Sequence, residues 1–323
     1  ALLVFVSLTF LQTRHIKGQE REPLFRAAAM QPAIPQNEKW DPSMSQSVLN
    51  RIERNTLRLV PMQPDVIFWP EATLPYPIKG DPGMRAWAER VATQAETPIF
   101  AGALVAEFEE VWKNGVYLIR PKWGMYPKYY SKRHLVPFGE YIPLRNLWPW
   151  IEKFVPIEGD LYSGEDEALL PLSMEGRTIQ VGSLICYEDV FPGLARESTL
   201  KGAAILFVAT NSAWYGKSAA SFQHMAHSVL RAVENRRVVY RVGNDGWSGW
   251  IDEYGNVHDE LLDENGRIWF SGGATWEIDR DKRWKGKKTF YTLHGDWFVA
   301  VSWGLLVAIG IFTRFFKLRE SIF

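Results

Sequence analysis

The chain has 323 residues, and 37 Lys plus Arg are matched by 37 Asp plus Glu, so no basic surplus draws it toward nucleic acid. A single cysteine excludes an internal disulfide framework and a cysteine-based zinc site. The hydrophobic share of 46% is ordinary for one large or two smaller domains, but 15 Trp and 18 Phe are many and suit a deep core or a membrane–water interface.

Residues 1–12, ALLVFVSLTFLQ, are apolar but make only about 18 Å of helix, too short to span a bilayer. No basic segment precedes them and no small-residue cleavage site follows, so 1–13 reads as the last half of a transmembrane helix of a longer membrane protein. Residues 14–24 read as a polar linker, and its Arg14, Lys17 and Arg21 weigh against an outside location for this end.

From residue 25 the chain reads as a domain running to 295. FRAAAM predicts a strand, and QPAIPQNEKWDP a proline-rich loop carrying Trp40. Met44, Val48, Ile52, Leu57 and Val60 predict a helix over 43–60, stopped by Pro61 and Pro64. DVIFWPE is a buried strand ending at Pro70 and Glu71, and MRAWAERVATQA a second helix. PIFAGALVAE, VWKNGVYLIR and MYPKYYSK predict three strands, the last closing on Lys132 before the loop HLVPFGEYIPL. Residues 145–170 look irregular, with Trp148, Trp150, Phe154 and Tyr162 among Pro and Gly. RTIQVGSLICYE is a strand delivering Cys186, ARESTLKG a short helix, AILFVATN a buried strand, SFQHMAHSVLRAVENRR a helix and VVYRVGND a strand. This alternation predicts an α/β or α+β fold with sheet layers in contact.

Residues 297–312, WFVAVSWGLLVAIGIF, carry no charge, and Phe315 and Phe316 extend the run past Arg314. A helix over 296–316 covers roughly 30 Å, enough to cross a bilayer core. Arg314, Lys317 and Arg319 then place the tail, 317–323, in the cytoplasm and the bulk of the chain on the other side.

Three predicted strand ends carry a reactive group out of an apolar run: Glu71, Lys132 and Cys186. Alone, the thiol reads as a small core hydrophobe, Glu71 as a cap and Lys132 as surface charge. Together they suffice for acyl transfer: a carboxylate takes the thiol proton, and an ammonium stabilises the oxyanion formed when the sulfur attacks a carbonyl. His224 and His227, three apart on a predicted helix, lack an evident third ligand, so no metal is expected. Asn211, Trp214 and Tyr215 follow a strand end and read either as pocket lining or as a structural turn.

FWPEATLP, YYSKRHLVPFGEYIP and GSLICYEDVFP together resemble the three catalytic blocks of the nitrilase (carbon–nitrogen hydrolase) superfamily. IPQNEKWDP, KRHLVPFGEYIP, TNSAWYG with QHMAHSVLRAVENRR, and TFYTLHGDWF further resemble the bacterial apolipoprotein N-acyltransferase family, in order, from about residue 25 to 300. The resemblance implies an αββα sandwich with a C-terminal transmembrane helix in the bacterial inner membrane, its catalytic domain on the periplasmic or outer face. It implies Glu71 as general base, Lys132 as stabiliser of the tetrahedral intermediate and Cys186 as acylated nucleophile. Glu140 matches a second essential glutamate, Tyr187 and Glu188 match positions beside the nucleophile, and Trp40 matches a tryptophan that lines the site. No cofactor is implied. The implied partners are a phospholipid acyl donor and the α-amine of a diacylglyceryl-cysteine on an apolipoprotein. Members carry a bundle of transmembrane helices ahead of this domain, of which only the end of one is expected here. The aromatic segment LWPWIEKFVP, 147–156, is a candidate lipid-facing loop, or else an ordinarily packed one. Two rival readings are an amidase of the same superfamily, in which water resolves the acyl-enzyme, and a catalytically silent membrane scaffold.

Overall fold

The computed structural model describes residues 20–108, 111–145, 147, 150, 160–165, 168–174 and 176–320, with side chains as far as Arg314. In chain order the strands and helices are β1 (Arg21–Gln31), α1 (Gln36–Lys39), α2 (Ser45–Leu59), β2 (Val66–Trp69), α3 (Pro82–Ala95), β3 (Ile99–Phe108), β4 (Val111–Arg120) and β5 (Gly124–Ser131). The second half holds β6 (Leu170–Met174), β7 (Arg177–Ile185), α4 (Pro192–Leu200), β8 (Ile205–Thr210), α5 (Ala220–Asn235), β9 (Val238–Gly243), β10 (Gly249–Ile251), β11 (Val257–Glu260), β12 (Gly272–Asp281), α6 (Phe290–His294) and α7 (Trp297–Glu320).

The strands form two six-stranded sheets, ordered β12-β1-β2-β3-β4-β5 and β11-β10-β9-β8-β7-β6. In each, three neighbouring strands are parallel, β1-β2-β3 and β7-β8-β9, and antiparallel strands flank them. Successive side chains of a strand point to opposite faces, and here both faces are apolar. In β2, Val66 and Phe68 face the other sheet while Ile67 and Trp69 face α2 and α3; in β8, Ile205, Phe207 and Ala209 face the other sheet while Leu206 and Val208 face α4 and α5. The result is a four-layer αββα sandwich, as the resemblance implied. Its middle is an aromatic stack across the two sheets, with Phe68 at 5.0 Å from Phe100, 4.6 Å from Phe207 and 4.8 Å from Tyr240, centroid to centroid.

The predicted helix 43–60 is α2, which buries Val48, Leu49, Ile52 and Leu59. The second is α3, started by Asp81, whose carboxylate accepts the Met84 N–H at 3.0 Å, with Pro82 in the first turn. Several expectations change. The stretch 14–24 is not all linker, because β1 begins at Arg21, whose guanidinium pairs with Asp279 and Glu253. The helix after the nucleophile begins at Pro192 rather than at Ala195. The sequence reading also passed over β6, β10, β11 and β12. β12 reads GGATWEIDRD, and its paired glycines and charges hide a strand that β1 completes. The first 13 residues, Trp148 and most of the 147–156 segment lie outside the described residues.

α7 is long and apolar enough to cross a membrane over Trp297–Arg314, and none of that window is buried. Its root is fastened to the outer layer of the second sheet. Thr289 donates its hydroxyl to the Glu234 carbonyl at 2.6 Å, Thr292 donates to the Asn235 side chain at 3.1 Å, and Arg196 donates to the Leu293 carbonyl at 3.0 Å. Truncating the hub of the inter-sheet stack, Phe68→Ala, should destabilise the fold by about 3–5 kcal/mol. Urea unfolding of the detergent-solubilised protein reads this, and a loss below about 1 kcal/mol would show that the sheets do not depend on that ring.

Candidate active site

All three reactive groups leave the sandwich at strand carboxyl ends, where open α/β sheets place their ligands. Glu71 comes two residues after β2, Lys132 directly after β5, and Cys186 directly after β7. The chain at 70–73 folds back over β3, and the glycine beneath it is obligatory: a Cβ at Gly102 would lie 2.2 Å from the Pro70 carbonyl oxygen. Thr73 then ties the turn down, its N–H donating to the Gly102 carbonyl at 2.8 Å and its hydroxyl to the Pro70 carbonyl at 2.6 Å.

Lys132 is almost wholly buried, and its Nζ lies 2.7 Å from Glu140 Oε1 and 3.5 Å from Glu71 Oε1. Burial pulls its pKa down, but Glu71, the Cys186 sulfur and Glu140 more than offset that, leaving it above the usual lysine value. Glu140 is itself held, its Oε2 accepting the Val136 N–H at 2.8 Å. Asn114 of β4 joins the parts: its side-chain amide donates to Glu71 Oε1 at 2.9 Å and its main-chain carbonyl accepts the Lys132 N–H at 2.8 Å. Glu71 Oε1 is thereby occupied, whereas its buried Oε2 has no partner among the described residues.

The strand was expected to run through Cys186 as far as Glu188. It stops at Ile185 instead, and Cys186 opens a 3-10 turn, Cys186–Val190, with φ of +54°. A non-glycine residue in this region is uncommon and costs energy that the surroundings must supply. They do so through Glu188. One of its oxygens accepts the N–H groups of Arg133 at 2.6 Å and His134 at 3.0 Å, and the other accepts the Tyr130 hydroxyl at 2.7 Å and the Ile185 N–H at 2.8 Å. The Cys186 turn is thus fastened to the chain that follows Lys132. Asp189, also buried, pairs with Arg241 of β9 and accepts the Ser228 hydroxyl of α5 at 2.7 Å. Burial, reinforced by Glu71 and opposed by Lys132, pushes the Cys186 thiol up to about 12.

The remaining predicted residues separate by exposure. Trp40 is 44% exposed, and Tyr187 packs edge-on against Phe191 at 4.9 Å. Glu188 is fully buried, so it holds the nucleophile turn and does not meet a ligand. Asn211 is a structural bridge, donating to Gln36 Oε1 at 3.2 Å and accepting from Asn244 at 3.0 Å, whereas Trp214 and Tyr215 are exposed. His224 sits 3.4 Å from the Arg241 guanidinium. Among the described residues no group of three or more His, Cys, Asp or Glu could hold a metal. Leu147 and Trp150 are exposed, as are Phe138 and Leu144 on the loop after Lys132. Sequence reasoning missed Asn114, whose signal was a lone amide within the apolar strand VWKNGVYLIR, and Lys39, a buried lysine beside Trp40.

A four-layer αββα sandwich with a buried thiol, carboxylate and ammonium at its strand ends has the groups that acyl transfer through a thiol requires. The chain belongs to the carbon–nitrogen hydrolase family, whose pattern matches residues 26–275. It is similar to apolipoprotein N-acyltransferases: 31% identical over 307 residues to that of Geobacter metallireducens, covering 92% of this chain and 55% of the relative. With that of Pseudomonas aeruginosa it shares 31% identity over 242 residues, 73% of this chain and 45% of the relative. The chain therefore spans about half the length of the curated relatives it matches. In fold it is similar to an amidase of the nitrilase superfamily from Nesterenkonia, at a TM-score of 0.60 and 19% identity, covering 87% of this chain and 99% of the amidase.

The thiol's environment has a consequence for stability. Between about pH 9, its ordinary value, and about pH 12 the unfolded chain ionises Cys186 while the folded protein keeps it protonated. The contribution is therefore fully present below pH 9 and lost as pH rises through that window. Cys186→Ala should lose less stability than the native protein when urea unfolding is repeated at about pH 10.5 instead of pH 8. Equal losses in the two proteins refute the environment described.

Proposed function

We propose that this chain is the catalytic part of an apolipoprotein N-acyltransferase, with Glu71 as base, Lys132 as oxyanion stabiliser and Cys186 as nucleophile. The observation that carries the reading is the unpartnered, buried Oε2 of Glu71, a carboxylate whose charge acts on the buried Cys186 thiol while Asn114 and Lys132 hold its other oxygen. That oxygen is an open seat for the Sγ proton. The thiol's high pKa fits proton transfer in step with attack rather than a standing thiolate.

In the first half, Glu71 takes the Sγ proton as sulfur bonds to the ester carbonyl of a phospholipid, and Lys132 meets the oxyanion. Collapse breaks the ester C–O bond, Glu71 returns the proton to the departing alkoxide, and a lysophospholipid leaves a thioester on Cys186. In the second half, the α-amine of a diacylglyceryl-cysteine attacks the thioester and Glu71 takes its proton. The C–S bond then breaks, and the sulfur recovers that proton from Glu71. Glu140 positions Lys132, and Glu188 positions the Cys186 turn. Both substrates are anchored in lipid, which suits a domain rooted on α7 with exposed Trp40, Phe138, Trp150, Trp214 and Tyr215. We place the domain on the periplasmic or outer face of the bacterial inner membrane, because Arg314, Lys317 and Arg319 follow the span.

The test is to incubate the membrane-embedded protein with labelled phospholipid, look for a hydroxylamine-sensitive adduct on Cys186, and then add a diacylglyceryl peptide. Transfer to the peptide supports the proposal. Release as free acid indicates an amidase-like hydrolase, and no adduct indicates a silent scaffold. Glu71→Gln should slow adduct formation by about 10²–10⁴-fold and Lys132→Met by about 10²–10³-fold. Rates within about threefold of native for either variant refute the roles assigned.

A further inference from the structure

Outside the groups just assigned, one buried charge stands beside the site without a role. Lys39 is the last residue of α1, and its side chain is 1% exposed. Its Nζ donates to the main-chain carbonyl of Glu71 at 3.2 Å and lies 5.5 Å from the centroid of the Trp40 ring. Among the described residues it has no salt bridge, although an ammonium taken out of water costs several kcal/mol when unmatched. A lysine retained under those conditions needs a reason. A hydrogen bond to one carbonyl could be made by a neutral amide at lower cost.

We infer that Lys39 is a second positioning cation for the proposed acylation: its ammonium fixes the Glu71 main chain and offsets the excess negative charge of the site as that charge passes from the Glu71 carboxylate to the Cys186 sulfur. The charge count supports this. Glu71 and Glu140 are two carboxylates around the single ammonium of Lys132, which leaves one negative charge in excess, and proton transfer from sulfur to Glu71 moves that excess onto the sulfur without changing it. Lys39 brings that sum to zero, and it holds Glu71 by the main-chain carbonyl where Lys132 meets the side-chain Oε1. The ionisable groups that act on Lys39 are Glu71, after β2, and Cys186, after β7; both favour its charged form, while burial, the larger influence, brings its pKa down to about 8. The ammonium is therefore charged at neutral pH and close to losing its charge just above it.

The inference rests on the reading of Cys186 as a nucleophile but not on the identity of the acyl donor, so its test uses iodoacetamide, which reports how readily the sulfur ionises. In the membrane-embedded protein, Lys39→Met should slow alkylation of Cys186 at pH 7.5 by about tenfold, equivalent to a shift of about one pH unit in its profile. Lys39→Gln, which keeps a donor for the Glu71 carbonyl but no charge, should be slowed equally. Native alkylation by Lys39→Gln overturns the inference, because the hydrogen bond alone is then sufficient, and native alkylation by both variants overturns it outright. Should neither variant fold, the native protein decides. Its alkylation rate must bend below a tenfold rise per pH unit above about pH 8, and a straight rise through that pH refutes a contribution from Lys39. An acyl adduct absent from the native protein, with the alkylation effect intact, sinks the acyltransferase reading and leaves Lys39 standing.

Discussion

An ammonium removed from water is costly unless carboxylates meet it at close range, and Lys132 is met by two. Glu140 supplies the short contact at 2.7 Å and Glu71 the longer one at 3.5 Å. The asymmetry matters. The glutamate that binds tightly is anchored by a main-chain N–H, so it acts as a fixed counter-charge, while the other keeps one oxygen free. Lys132 can then remain charged in a dry site without immobilising the carboxylate to which we assign the proton transfers. The two sheets exist, for this purpose, to bring three strand ends to one place and keep water out.

The residues flanking the thiol divide this labour in a way that burial reveals. Glu188 and Asp189 look from their sequence neighbourhood like part of the reactive centre, yet both point into the protein. Glu188 spends both oxygens on holding the chain before Cys186 and the chain after Lys132, and Asp189 binds Arg241 and Ser228 from the second sheet and its helix. With four bonds to one carboxylate on one side and a buried ion pair on the other, a cysteine at positive φ has little freedom to relax. The neighbours of Cys186 are carpentry for a strained turn.

Much of this was legible in the sequence because period and punctuation agreed with chemistry. DVIFWPE and GSLICYE are apolar runs that end on a reactive group, the mark of a buried parallel strand, whereas MYPKYYSK is the half-exposed edge strand β5 and buries only its end before Lys132. The αββα layering followed from resemblance more than from pattern, since strands apolar on both faces do not show which layer they meet. β12 stayed hidden because glycines and charges occupy a strand that pairs with β1 at the margin of its sheet. The positive φ at Cys186 left no trace either, since nothing in the letters CYED distinguishes a strand end from a 3-10 turn. Lys39 was invisible for a different reason. In QNEKWDP it sits among polar residues, and only the packing of α1 against the Glu71 turn takes it out of solvent.

The fastening of α7 bears on mechanics rather than chemistry. Thr289, Thr292 and Arg196 stitch the short α6 to α4 and α5, and only Gly295, at φ of +62°, and Asp296 separate α6 from the start of α7. Where such a helix crosses a bilayer, a joint of two residues limits how far the fastened α6, and with it the second sheet, can stand from the lipid, while Gly295 is the point at which the tilt of the span can change. The height of the sulfur above the lipid headgroups is then bounded by the length of that joint.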